Sequence, residues 1–173
     1  FSGRRGTAER GIAIMPREQV IEVLRRHPFV EEFQPEHIER LTQLAKQVHF
    51  DRDQVIFHEG DECHDFYLIV KGRVAVEIEA PDHTLRVQTL TAGDELGWSA
   101  ILMGRGKFFQ GRALEPVDAL AFDGAELLAA CREDKGFGFA FMYRMLGVVS
   151  ERLQGTRLQL LDMYSPVAKR AGT

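Results

Sequence analysis

Phe66-Tyr67-Leu68-Ile69-Val70-Lys71-Gly72-Arg73-Val74-Ala75-Val76-Glu77-Ile78-Glu79 is the stretch whose reading decides the fold. Its first five residues are aromatic, aliphatic or β-branched and read as a strand, and Lys71-Gly72 breaks the run. Beyond the break Val74, Val76 and Ile78 alternate with Arg73, Glu77 and Glu79, the period of two expected of a half-buried strand. Two such runs about a glycine turn predict a β-hairpin. Upstream, Val48-His49-Phe50 and Val55-Ile56-Phe57 read as strands, and His58-Glu59-Gly60-Asp61 as a turn. Downstream, Pro81-Asp82-His83-Thr84 turns the chain into a strand from Leu85 to Leu90, which Ala92-Gly93-Asp94 closes. An irregular stretch to Gly111 precedes a last strand from Val117 to Phe122, and Asp123 caps a short helix through Leu127, Leu128 and Cys131. Many short strands with Gly, Pro and Asp between them predict a rolled antiparallel sheet.

Helices flank it. Val20, Ile21 and Leu24 keep helical spacing between Pro16 and His27, and Ile38, Leu41, Leu44 and Ala45 keep it after Pro35, with Pro28 separating the two. From Phe137 to Tyr164 no proline occurs, so a helix of about 40 Å is predicted at a rise of ~1.5 Å per residue. Met142, Leu146, Val149, Leu153, Thr156, Leu160 and Met163 recur at alternating four and three along it, the seam by which one helix meets another. A two-fold partner is the expected mate; packing of the helix along its own domain, through Phe137, Phe141 and Leu158, is the alternative. The predicted class is therefore mainly β with flanking helices (α+β): a jelly-roll-like antiparallel β-roll, N-terminal helices and a long C-terminal dimerisation helix.

The divisions follow: 1–15, a Gly- and Arg-rich flexible arm or expression remnant before Met15-Pro16; 16–47, the N-terminal helices; 48–123, the β-roll; 124–164, the C-terminal helices; 165–173, a loose tail. At 173 residues with 45% hydrophobic content the chain supports one domain plus appendages. A formal charge of −4 gives no general basic surface for nucleic acid or membrane, and no apolar run approaches the roughly 20 residues of a membrane span. Two cysteines, Cys63 and Cys131, make neither a disulfide framework nor a zinc spacing, and a reducing cytoplasm is the expected location.

His58-Glu59-Gly60-Asp61, the strand-prone Phe66 to Gly72, then Gly93-Asp94 and Gly97 together resemble a cyclic-nucleotide-binding domain, in order and spacing, over about 41–163. Arg152-Leu153-Gln154-Gly155-Thr156 is similar to the dimer helix of bacterial catabolite activator proteins. The resemblance implies a phosphate-binding cassette over 93–113, in which a glycine turn and a short helix present backbone N–H groups to an anion. Glu95, Leu96, Gly97, Trp98, Ser99, Arg105, Lys107 and Phe108 fall in it. The acidic residue that holds a ribose hydroxyl in that family falls on Trp98, or on Glu95 if the register shifts. Counting back from Arg112-Ala113, the family's phosphate-gripping arginine falls on Lys107, which keeps the charge and loses the planar fork. Phe108 stands where a small hydroxyl residue is frequent, Arg105 is either a second cation or a solvated loop charge, and Trp98 either plugs the pocket or stacks on a planar ligand. Arg152 and Thr156 match positions that face ribose phosphate and base, and Arg157 departs from a small polar residue.

The expected function is a stand-alone regulatory sensor of a small anionic ligand, with cAMP or cGMP first in line, signalling through a homodimer helix to a downstream protein. The alternatives are a degenerate adaptor whose pocket Trp98 and Phe108 fill, and a DNA-binding regulator cut short; with about nine residues after Tyr164, no nucleic-acid reader and no membrane contact are expected of this chain. No Gly-x-Ser-x-Gly elbow, P-loop or dinucleotide fingerprint occurs, so no enzyme is expected, and His58, Glu59, Cys63 and His64 are read as a polar turn rather than a metal site. No cofactor is expected beyond the nucleotide ligand itself.

Overall fold

The computed structural model describes residues 14–62, 64–101 and 108–170, the last six by backbone alone. It divides into two units, 1–130 and 131–173.

In the first unit α1 (Arg17–Arg26) starts behind Pro16, whose carbonyl accepts from the amides of Gln19 and Val20, and buries Val20 and Leu24 one turn apart. It stops at His27, whose backbone is extended and which Pro28 follows, and Pro28–Val30 forms a single 3-10 turn. α2 (Pro35–Leu44) carries proline in its first turn and buries Ile38, Leu41 and Thr42. Arg17 and Glu39 pair the two helices at the surface. Met15 is clasped to the first strand by Gln47, whose side-chain amide exchanges hydrogen bonds of 2.8 and 2.9 Å with its backbone.

Among the described residues eight strands follow: β1 (Lys46–Phe50), β2 (Val55–Phe57), β3 (Asp65–Lys71), β4 (Val74–Glu79), β5 (Thr84–Leu90), β6 (Glu95–Leu96), β7 (Gln110–Ala113) and β8 (Val117–Asp123). They form two antiparallel four-stranded sheets, ordered β1-β8-β3-β6 and β2-β7-β4-β5. The rolled architecture and its flanking helices are those expected.

The hairpin over Phe66–Ile78 is not. β3 is hydrogen-bonded by β8 on one side and β6 on the other, so no edge is left for β4, which lies between β5 and β7 in the second sheet. Gly72 is the corner where the chain changes sheet. Its φ is +93°, and a Cβ there would lie 2.4 Å from the Pro116 carbonyl oxygen, so Pro116 and Val117 close around a residue that has no side chain. The true hairpin is β4-β5, turned at Pro81 to His83, where the Ala80 amide donates to the His83 carbonyl.

Ile69, Val74, Val76, Leu90, Leu96, Ala113 and Val117, drawn from both sheets, form one buried cluster, with Phe50, Ile56, Phe57, Tyr67, Val87 and Phe109 packed against it and partly buried. The opposite face of β3 carries Phe66 and Leu68; the Phe66 ring meets Phe29 of the 3-10 turn at 5.5 Å and Phe122 of β8 at 6.3 Å. α3 (Gly124–Glu133) is capped as expected, Asp123 Oδ1 accepting from the Glu126 amide at 2.9 Å.

The second unit is dominated by α4 (Lys135–Arg170), whose 36 residues run past the boundary at Tyr164. Residues 165–170 are helical, not tail, although Pro166 there can donate no backbone hydrogen bond and its ring crowds the carbonyl four residues before it. Phe137, Phe141, Met145 and Val148 are buried along one stripe, Phe137 and Phe141 stacked at 6.0 Å. One position on, Met142, Leu146, Val149, Leu153, Leu160 and Met163 are all exposed, as is Leu158. No helix among the described residues is long and apolar enough to cross a membrane.

Candidate functional site: the turn after β6 and the strand β7

Gly93 and Asp94 bring the chain from β5 into β6: the Gly93 amide donates to the Ile69 carbonyl and the Ile69 amide to the Asp94 carbonyl, both at 2.9 Å. Asp94 Oδ2 accepts from the Thr91 amide at 2.7 Å and fixes the turn. After two residues of β6, Gly97 takes a φ of +78°, and Trp98–Ile101 winds into one 3-10 turn with the Ala100 amide bonded to the Gly97 carbonyl. Ser99, Ala100 and Ile101 are buried, and the start of α3 presses on them: a Cβ on Gly124 would lie 2.3 Å from the Ala100 carbonyl oxygen.

Register sorts the candidate residues between two faces. Leu96 pairs with Tyr67 and belongs to the interior cluster; Glu95 pairs with Leu68 and lies on the opposite face with it, buried. The shifted reading that makes Glu95 a hydroxyl acceptor would therefore need that side chain on the face it does not occupy. Trp98 is half-buried, and Phe108 is 53% exposed. The ring packed against the interior is that of Phe109, the neighbour, together with Phe57 and Tyr67. A pocket filled by Phe108 is thus corrected to an interior lined by Phe109, the two rings parting at the bend before β7. Burial pushes the Tyr67 phenol well above its ordinary range, with the nearby Asp65 charge adding to the shift. Arg105 and Lys107 lie outside the described residues. Arg152 and Thr156 are on α4, where Thr156 is exposed and its hydroxyl donates to the Arg152 carbonyl at 3.0 Å.

Sequence reasoning missed the polar cluster that anchors β7. Glu77 of β4 is only 2% exposed, on the face opposite the interior cluster, and Arg112 grips it in two places: Nη2 to Oε1 at 2.5 Å and Nε to Oε2 at 3.2 Å. Gln110 donates to the same carboxylate at 3.2 Å, His58 Nδ1 meets Gln110 Oε1 at 3.2 Å, and Asp53 Oδ1 lies 3.5 Å from Arg112 Nη1. The Arg112 hydrogen bonds, helped by Gln110 and by the Arg112 and Arg86 charges, outweigh burial and hold the Glu77 carboxyl below its usual range. The guanidinium of Arg112 is thereby committed to the frame. The only advance signal was an acid on β4 and a base in the closing pair. His58 and His64 are also engaged, His64 with Glu62 at 3.1 Å, and Cys63 lies outside the described residues.

A left-handed glycine turn and a single 3-10 turn thus follow β6, and β7 beyond them is clamped to β4 through Glu77 and Arg112. The chain belongs to the cyclic nucleotide-binding domain family, whose model matches residues 47–134. It is similar to a solved cyclic nucleotide-binding domain from Methylobacillus flagellatus (TM-score 0.74, 20% identity, 85% of this chain and 83% of that one). A second likeness is the catabolite activator protein of Thermus thermophilus (TM-score 0.67, 20% identity, 80% of this chain and 63% of that one). Over 75 residues it is 31% identical to a cAMP/cGMP-dependent 3′,5′-cAMP/cGMP phosphodiesterase B of Dictyostelium discoideum, a match spanning 43% of this chain and 7% of that relative.

Proposed function

We propose that this chain is a non-enzymatic cytoplasmic sensor in which a small anionic ligand, a cyclic nucleotide first, binds between Gly97 and Lys107 and acts through a dimer formed by α4. The observation that carries the reading is the turn at Gly97: positive φ, a buried 3-10 segment behind it, and an apolar interior beside it whose rim residues Tyr67, Val87 and Phe109 stay partly open. Leu96, Trp98 and Ser99 sit at that turn, and Arg105, Lys107 and Phe108 are the further residues assigned to the ligand in this reading. A ligand that prefers one arrangement of the loop shifts the population toward it. The exposed seam from Met142 to Met163 supports a two-fold partner, and a downstream protein reads the dimer.

Calorimetry on the whole chain with cAMP, cGMP and uncharged guanosine tests this. The expected result is cyclic-nucleotide binding that Lys107→Ala weakens about 10-fold or more, the worth of one hydrogen bond to a charged group. Absence of heat with both cyclic nucleotides overturns the proposal. A second reading, an adaptor whose interior is self-filled, draws support from the rings of Phe50, Phe57, Tyr67 and Phe109 around the cluster. It predicts no heat with any of the three and unchanged Trp98 fluorescence.

A further inference from the structure

His27 stands at the junction of α1, the 3-10 turn and β3, and is 5% exposed. Its Nδ1 accepts a hydrogen bond from the Phe29 amide at 3.2 Å, and its Nε2 lies 3.1 Å from the Ile69 carbonyl oxygen. An amide N–H has only a donor to offer, so Nδ1 carries no proton; a carbonyl has only acceptors, so Nε2 carries one. Both contacts are made by one neutral tautomer. The imidazolium, a donor at both nitrogens, would set an N–H against the Phe29 N–H and place a positive charge in a buried site.

The same carbonyl joins this ring to the cassette. Ile69 O also accepts from Gly93, and Pro28 packs on Gly93 so closely that a Cβ there would meet Pro28 Cγ at 3.3 Å. Two residues beyond Gly93 the chain enters β6 and then the Gly97 turn. We propose that His27 is a proton-sensitive latch that docks the 3-10 turn on the Gly93-Asp94 turn and so regulates the ligand site, an inference that rests on the sensor reading above. The charged groups on the elements packed here are Arg25 and Arg26 of α1, Glu31 and Glu32 after the 3-10 turn, Asp65 and Lys71 at the ends of β3, Asp94, and the buried Glu95 of β6, which pairs with Leu68. Arg25 is paired with Glu22, Asp94 with the Thr91 amide, and Arg26, Glu31, Glu32 and Lys71 are exposed. The docked state holds the ring neutral while a released ring takes up a proton, so docking is complete at higher pH and lost as pH falls across the histidine range.

The test is an NMR titration of the ligand-free chain from about pH 8 to about pH 5, the span in which histidines change charge. It follows the His27 ring carbons and the Phe29 and Gly93 amides, with cAMP calorimetry at both ends. Ring protonation and loss of amide protection at Phe29 and Gly93 are expected to coincide, and cAMP affinity to fall in acid. His27→Asn, which keeps an acceptor near the Nδ1 position and does not titrate, is expected to flatten both; the wild-type titration decides the matter if that variant does not fold. The latch is overturned if both amides stay protected to the point of global unfolding, or if His27→Asn leaves their pH dependence intact. A cAMP affinity that ignores pH while the amides respond overturns the regulatory role. Absence of cAMP binding at either pH overturns the ligand reading instead, and leaves the amide result standing.

Discussion

The Glu77 face of the second sheet and the exposed stripe of α4 pose opposite physical problems. On the sheet a carboxylate is taken out of water and every polar demand it makes is met within the chain, by Arg112 and Gln110. On the helix Leu146 and Leu153, 66% and 68% exposed, leave apolar surface in water with nothing in the described chain to cover it. A closed arrangement spends its interactions on the stability of the fold. An open one has none to spend there and leaves its surface to the two-fold partner proposed above. Substitutions in the first region should therefore register in unfolding, and those in the second in association.

The largest expected effect is at Arg112. Arg112→Ala strands Glu77 as a buried unpaired charge and should cost about 3–5 kcal/mol in urea unfolding, the usual penalty for breaking a buried pair by removing one partner. The acid limb sharpens the point. Glu77's carboxyl is held below its usual range, so the stability it contributes is full above the unfolded carboxylate value of roughly 4.3 and fades as pH falls through the lowered folded value. The difference between wild type and Glu77→Gln should accordingly shrink below about pH 4. A loss under about 1 kcal/mol for Arg112→Ala would mean that water reaches Glu77 as it does a surface carboxylate, and the contrast with α4 would collapse.

How legible these regions were in the sequence depends on the reach of the interactions that make them. Proline-led helices, the Asp123 cap and Val55–Phe57 rest on residues a few positions apart, and they are where local reading puts them. β6 is two residues long, too short for any period to register, and β7 is Gln-Gly-Arg-Ala, a sequence of weak strand preference held to β4 by Glu77. Glu77 itself read as the solvent side of an alternating strand: the period gave its face correctly, while the Arg112 that buries it lies 35 residues on. At the site, Gly97 was legible through the resemblance to the family's cassette, and its positive φ is what glycine supplies there; which of Phe108 and Phe109 faces inward is set in a bend before β7 that no period marks. Gly72 shows the same limit. Its turn was readable, but the sheet that the next strand joins is set by β8 and β6 taking both edges of β3. Gly72→Ala should cost about 2 kcal/mol from left-handed strain, with the Pro116 contact adding to it, measured by the same unfolding. An effect within about 0.5 kcal/mol, ordinary for a surface site, would show that the corner yields.

The smallest expected change in stability, and the largest in assembly, is on α4. Leucine and glutamate differ little in helix preference, and a substitution on an exposed face away from special contacts moves unfolding by no more than about 0.5 kcal/mol. Leu146→Glu with Leu153→Glu should therefore leave the fold in place. In a two-fold seam of alternating three and four spacing, however, each substituted position meets the partner's equivalent region, so the pair of changes buries like charges where leucines were. Sedimentation of the wild type should give a dimer and sedimentation of the double variant a monomer, with circular dichroism unchanged. A wild type that sediments as a monomer at every concentration would leave the stripe without a two-fold role. A double variant that remains dimeric would place the contact elsewhere on the surface. If instead the variant unfolds, the stripe is part of the chain's own core, and α4 resembles the Glu77 face rather than opposing it.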